Sequence, residues 1–211
     1  MKDEFTKLEI CKKAVKALKK EYPTVRCTLD YCYPYQLLIA ARLAAQCTDK
    51  RVNFVTKGLF SKYPTLESFA GANYDELKNI IKPCGFYKIK AKDIINMCKV
   101  IIENYKSIVP QNIDELTTLP GIGRKTANLI IGDIYKRPSI VVDTHCSRIT
   151  RRLGLHNSKN PTIIEKLLKD LVPPKESTDF CHRLVEHGRS VCKALNPKCH
   201  ICCMKNFCAK S

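Results

Sequence analysis

Tryptophan is absent from the 211 residues, an omission that decides little. Other absences narrow the possibilities. No apolar run approaches the roughly 20 residues that a membrane-spanning helix needs. The opening Met1-Lys2-Asp3-Glu4-Phe5 leads into no apolar h-region, so no secretory signal is expected. Acid is in short supply: 20 Asp and Glu stand against 37 Lys and Arg, a formal net charge of +17. That imbalance points to a polyanionic partner, with nucleic acid foremost and an anionic membrane surface as the rival. One run alone, Ser139-Ile140-Val141-Val142, looks strand-like. A single strand makes no sheet, so an extended buried connector is expected there. No internal repeat and no low-complexity stretch is visible.

What is present is helical periodicity. Hydrophobic residues make up 45% of the chain, enough for a real core and against global disorder. From Lys2 to Lys20, apolar residues at Phe5, Leu8, Ile10, Val15 and Leu18 oppose a lysine-rich side. Pro34 opens a second helix that ends near Gln46. Thr48 or Asp49 can cap a third, ending near Tyr63. Asn73 to Ile81 is a short helix. Lys88 to Tyr105 is long, with Ile89, Ile94, Ile95, Cys98, Ile101 and Ile102 as its apolar positions. A turn at Ile113–Thr117 precedes a helix over Gly123–Ile134. A further helix starts at Asn160-Pro161 and a last one runs to about Gly188. The fold class is all-α.

Thirteen cysteines with no secretion signal, and an odd count, argue against a disulfide framework. Nine are scattered (Cys11, Cys27, Cys32, Cys47, Cys84, Cys98, Cys146, Cys181 and Cys203), mostly among apolar neighbours that suit small buried hydrophobes. The other four, Cys192, Cys199, Cys202 and Cys208, have the spacing Cys-x6-Cys-x2-Cys-x5-Cys within one small loop. Four thiolates around one centre suit Zn2+ or an iron–sulfur cluster. A zinc ribbon would offer two Cys-x2-Cys pairs where this run has one, and Cys203 beside Cys202 competes for the third position. Lys193, Lys198 and Lys205 around the loop can face phosphates.

Two other segments carry chemistry. In Thr118-Leu119-Pro120-Gly121-Ile122-Gly123-Arg124-Lys125-Thr126-Ala127, a two-glycine turn runs straight into a helix. Backbone N–H groups and the positive helix end suit a phosphate there, and Arg124-Lys125 adds charge. The helix N-terminus and Arg124 both disfavour an ammonium at Lys125, which makes that lysine a candidate nucleophile. An ordinary helix–helix turn is the plainer alternative. In Val142-Asp143-Thr144-His145, Asp143 is placed to cap the helix that follows. An ionised carboxylate close to a neutral lysine would also stabilise positive charge on a sugar or help move a proton. His145 and His156 read as surface or capping residues.

These pieces, together with Leu37-Leu38-Ile39-Ala40 and Ala45-Gln46-Cys47-Thr48-Asp49, resemble the endonuclease III family of DNA glycosylases over essentially the whole chain. The resemblance implies two domains. A six-helix barrel over residues 27–137 holds the helix-hairpin-helix at 119–127. Residues 1–26 and 138–211 form a [4Fe-4S] cluster domain, and DNA lies in the cleft. It implies that Lys125 is the Schiff-base nucleophile, Asp143 the essential carboxylate, and Cys192, Cys199, Cys202 and Cys208 the cluster ligands. Gln46 matches the residue that fills the hole left by a flipped nucleotide. Phe86 falls at the apolar wedge, where a leucine-like residue is more usual; core packing is its alternative role. Gly121, Gly123, Arg124, Lys193 and Lys198 are further expected DNA contacts. The carbonyls of Thr117, Leu119 and Ile122 match positions that hold a monovalent cation. The expected activity is removal of oxidised pyrimidines from damaged double-stranded DNA, with β-elimination 3′ to the abasic site. The enzyme is expected to be a cytoplasmic, nucleoid-associated monomer. The related adenine-specific mismatch glycosylase lacks the hairpin lysine. A non-catalytic, redox-sensing helix-hairpin-helix protein or a zinc-dependent reader would bind DNA without cutting it.

Overall fold

The computed structural model describes residues 6–210, so the expected helical residues Lys2–Phe5 lie outside it. Every regular element among the described residues is helical. The chain divides into two compact units, residues 27–135 and residues 1–26 with 136–211.

The unit of residues 27–135 is continuous in sequence. It contains α2 (Pro34–Ala44), α3 (Asp49–Lys62), α4 (Leu66–Ala70), α5 (Tyr74–Ile80), α6 (Tyr87–Tyr105), α7 (Ile113–Thr118) and α8 (Arg124–Asp133). Pro34 starts α2 at a position where its missing N–H costs nothing. Side-chain oxygens cap α3 (Thr48), α4 (Thr65), α5 (Asn73) and α7 (Asn112). α4 is an addition to the five helices and one turn expected in this stretch. Its five residues are too few to show a period, yet Leu66 and Phe69 are buried and it packs along α6. Phe69 sits against Tyr35, Phe60 and Tyr63 with ring centroids 5.2–6.4 Å apart. α2 packs on α3, α6 and α8 around Leu37, Leu38, Ile39 and Leu43, all fully buried.

One expectation about α6 is reversed. Ile89 is 56% exposed and its neighbour Lys90 is wholly buried. The buried face is Lys90, Ala91, Ile94, Ile95, Met97, Cys98 and Ile101, so the expected positions Ile94, Ile95, Cys98 and Ile101 are kept and only the first turn differs.

The discontinuous unit contains α1 (Lys7–Glu21), α9 (Thr144–Arg152), α10 (Pro161–Leu171) and α11 (Ser177–Ser190). α1 begins with a reciprocal Thr6–Glu9 capping box. Its packing face is Cys11, Ala14, Val15 and Leu18, whereas Leu8 is 43% exposed. α1 packs on α10 and α11, and α11 on α9. Arg183, almost fully buried on α11, is satisfied by Glu176 and Asp179 at 3.1 Å each and by the Tyr22 carbonyl at 3.1 Å. Residues 139–142 form an irregular connector, with Ser139 and Ile140 buried. Its backbone is satisfied by side chains of α11: Ser139 N–H donates to Ser177 Oγ and Val141 N–H to Cys181 Sγ. His156 is 3% exposed and hydrogen-bonds Thr150 at 2.9 Å, so it is a buried residue rather than a surface one. Burial lowers its pKa.

Candidate functional site

α7, the turn at 119–123 and α8 form the hairpin. Gly121 has φ +76°, and a Cβ there would stand 2.5 Å from Arg42 Nε and 2.8 Å from Asp93 Oδ2. Those two groups form an ion pair at 2.6 Å that buttresses the turn from α2 and α6. Gly121 is therefore required by both conformation and space. Gly123 differs. Its backbone is extended, it serves as the N-cap of α8 without any side-chain cap, and a Cβ there would meet nothing. The open space above an uncapped helix start admits the close approach of an anion. Gly121→Ala is expected to lower stability by about 2 kcal/mol or more, whereas Gly123→Ala changes it by less than about 1 kcal/mol and weakens DNA binding several-fold. Urea unfolding beside a duplex-binding titration checks both.

Arg124 and Lys125 occupy the first turn of α8, and both are exposed. Behind them, Ala127, Asn128, Ile130 and Ile131 are buried, so the lysine stands on a helix whose other face is locked into the core. On the same unit, Gln46 and Phe86 are exposed with φ +55° and +47°. Left-handed backbone is unfavourable for such residues, and its cost of about 1–3 kcal/mol each tends to be kept at functional positions. Phe86 is 63% exposed, which removes core packing as its role.

On the other unit, Asp143 caps α9: its Oδ1 accepts from Cys146 N–H at 2.7 Å. α9 also carries Arg148, a residue that bridges to the cysteine loop. Its guanidinium donates to the carbonyl of Cys192 from Nε at 3.2 Å and Nη2 at 3.0 Å, and hydrogen-bonds His145 Nδ1 at 3.0 Å. His145 is thus half-buried beside Arg148, not a cap.

Cys192, Cys199, Cys202 and Cys208 line one small pocket, together with Arg152, Val191, Pro197, Lys198, Lys205 and Lys210. Cys203 does not line it. Arg152 donates to Cys192 Sγ at 3.2 Å and to the carbonyls of Lys193 and Ala194 at 2.7 and 2.9 Å. Cys202 Sγ lies 3.4 Å from His187 Nε2 and accepts from Met204 N–H at 3.4 Å. A hydrogen bond from Cys203, then these two contacts, favour the Cys202 thiolate, while burial raises the Cys208 thiol. Four cysteines lining one pocket, with N–H donors aimed at the Cys192 and Cys202 sulfurs, fit an iron–sulfur cluster. Among the described residues no group of three or more His, Cys, Asp or Glu side chains is close enough together to hold a single metal ion. Lys193 and Lys198 are exposed on the loop. Arg152 and His187 were not singled out for the site by motif spacing, because nothing in their local pattern distinguishes them from helix-surface cations.

The pattern described as HhH-GPD superfamily base excision DNA repair protein matches residues 39–174, a stretch with the hairpin, Lys125 and Asp143 inside it. The chain belongs to that superfamily. Endonuclease III of Rickettsia felis is 42% identical over 200 residues, covering 95% of this chain and 94% of the relative. Endonuclease III of Bacillus subtilis is 42% identical over 188 residues, covering 89% and 86%. The solved structure of a trapped endonuclease III–DNA covalent intermediate matches with TM-score 0.92 and 38% identity, covering 98% of this chain and 97% of that one. Within the superfamily the chain is thus a member of the endonuclease III family, a bifunctional DNA glycosylase and AP lyase of base excision repair. A thermostable thymine-DNA glycosylase, 22% identical at TM-score 0.84, shares the fold.

Proposed function

We propose that the protein removes oxidised pyrimidines from damaged double-stranded DNA, with Lys125 as nucleophile and Asp143 as the carboxylate that assists it. The observation that carries this reading is the exposed Lys125 in the first turn of α8, directly behind the uncapped glycine turn. The turn binds a backbone phosphate through N–H groups and Arg124, and so fixes where the amine points. Lys193 and Lys198 add phosphate contacts, and the net charge of +17 makes binding steeply salt-dependent. A damaged pyrimidine nucleotide is extruded from the duplex at a cost of a few kcal/mol, less for a poorly stacked lesion. Gln46 fills the vacated space and Phe86 wedges the stack.

In the chemical step, the neutral Lys125 amine attacks C1′ as the base departs. Asp143 stabilises the positive charge that develops on the sugar and assists proton transfer from the amine. Ring opening yields a Schiff base, and β-elimination cleaves the strand 3′ to the abasic site. Cys192, Cys199, Cys202 and Cys208 would hold a [4Fe-4S] cluster. With the cluster bound, these four residues would hold the loop bearing Lys193 and Lys198 in a single conformation. The carbonyls of Thr117, Leu119 and Ile122 are the candidate seat of a monovalent cation. The Leu119 oxygen already accepts from Ile122 N–H at 3.1 Å and keeps a second lone pair for such an ion. The protein acts as a monomer on the nucleoid.

Incubation with duplexes carrying oxidised pyrimidines, an abasic site or no lesion tests the reading. Incision at the first two, by a preparation that contains iron and acid-labile sulfide, is the expected outcome. Tight salt-sensitive binding without incision would support a purely DNA-binding protein.

A further inference from the structure

Lys90 is wholly buried, and a lysine ammonium in an interior is tolerable only when its N–H groups are used. All three are. Nζ donates to the carbonyls of Leu43 at 2.8 Å, Ala45 at 2.8 Å and Cys84 at 2.9 Å. Leu43 is in the last turn of α2 and Ala45 is its C-cap, so the ammonium satisfies carbonyls that the helix leaves free and sits at the negative end of its dipole. Cys84 ends the 3₁₀ turn Lys82–Cys84 that leads into α6. Gln46 follows Ala45 directly, and Phe86 follows Cys84 by two residues. One cation therefore ties together the roots of the two exposed segments whose tips are held in left-handed backbone, Gln46 at φ +55° and Phe86 at φ +47°. Segments 46 and 86 are far apart in sequence, and at the Lys90 ammonium their backbones meet at a common atom.

We propose that Lys90 is a positioning residue for reading the duplex: its ammonium sets the separation and direction of Gln46 and Phe86 so that both enter the helix at one extruded nucleotide. This rests on the reading of Gln46 as filler and Phe86 as wedge. Lys90 itself, being fully buried, touches no DNA. Its effect is confined to steps in which those two residues are inserted. A duplex with an extrahelical site needs them. A single strand bearing an abasic site has no opposite base and no stack to wedge, and does not.

The test uses the full chain and a duplex with a tetrahydrofuran abasic analogue, an undamaged duplex, and single-stranded abasic DNA. Lys90→Met is expected to weaken binding to the tetrahydrofuran duplex about tenfold. Binding to undamaged duplex and borohydride trapping on the single strand should stay within twofold of wild type. In a Gln46→Ala/Phe86→Ala background, Lys90→Met should add less than twofold, because the residues it acts through are gone. If circular dichroism shows Lys90→Met to be unfolded, Lys90→Arg replaces it. Arg keeps the charge and changes the donor geometry, so the same selective loss is expected. A tenfold loss that persists in the double-alanine background, or equal losses on all three DNAs, would overturn the proposal and leave Lys90 as a fold-stabilising residue. If the double-alanine protein binds the tetrahydrofuran duplex as wild type does, the roles of Gln46 and Phe86 fail, and the proposal fails with them.

Discussion

Lys125→Gln is expected to abolish strand cleavage at abasic sites, lowering the single-turnover rate by at least about a thousandfold, some 4 kcal/mol of barrier. The glutamine side chain cannot form a Schiff base, so borohydride should trap no adduct. Lys125 is exposed, and the buried face of α8 comes from Ala127, Asn128, Ile130 and Ile131. The substitution therefore leaves stability within about 0.5 kcal/mol of wild type. Binding to an uncleavable tetrahydrofuran duplex should fall by no more than the loss of one phosphate-facing cation implies. Rapid-quench cleavage assays beside thermal unfolding separate the two effects.

Asp143→Asn should lower the rate of base removal by about 10²–10⁴-fold, the range for loss of a positioned acid–base or electrostatic group. Asparagine caps helices about as well as aspartate. The acceptor for Cys146 N–H, now at 2.7 Å, is thereby retained, and α9 keeps its start. Arg148 on that helix then keeps its hold on the Cys192 carbonyl. Asparagine thus removes the charge and spares the cap, whereas Asp143→Ala would also lose about 1 kcal/mol of capping. Single-turnover glycosylase kinetics on a duplex with one oxidised pyrimidine measure the effect. Retained activity would leave Asp143 as a helix cap and nothing more.

Helix type and order were legible because apolar residues recur at 3.6-residue spacing and caps such as Thr48, Asn73 and Asn160-Pro161 carry local chemistry. The connector at 139–142 was legible for a negative reason, since one β-branched run has no partner; α11 side chains supply its hydrogen bonds. α4 was hidden because five residues show no period. Ile89 was misread as an inward position, and Lys90 beside it was passed over. Periodicity scores an isoleucine as buried and a lysine as exposed, and it cannot see three carbonyls from α2 and the 3₁₀ turn converging on one ammonium. The same blindness applied to His156, which is buried against Thr150, and to Arg152, whose partners are a cysteine sulfur and two carbonyls some forty residues on. For Lys90 and Arg152 the local pattern was uninformative because partners some forty residues away decide their place; for His156 the partner is six residues back, across the end of α9, where no helical spacing applies. The grouping of the four cysteines around one pocket was legible because their spacing is itself the signal, and the place of Lys125 at the exposed start of α8 because a two-glycine turn precedes it.

The central claim is that Lys125 makes the covalent bond to DNA. Its most direct test is borohydride trapping on an abasic-site duplex, followed by nuclease and protease digestion and mass spectrometry of the modified peptide. The account predicts a reduced sugar remnant on the Lys125 amine, and none on the peptides bearing Lys193, Lys198 or the chain's N-terminal amine. A remnant on any of those amines, with Lys125 unmodified, would contradict it.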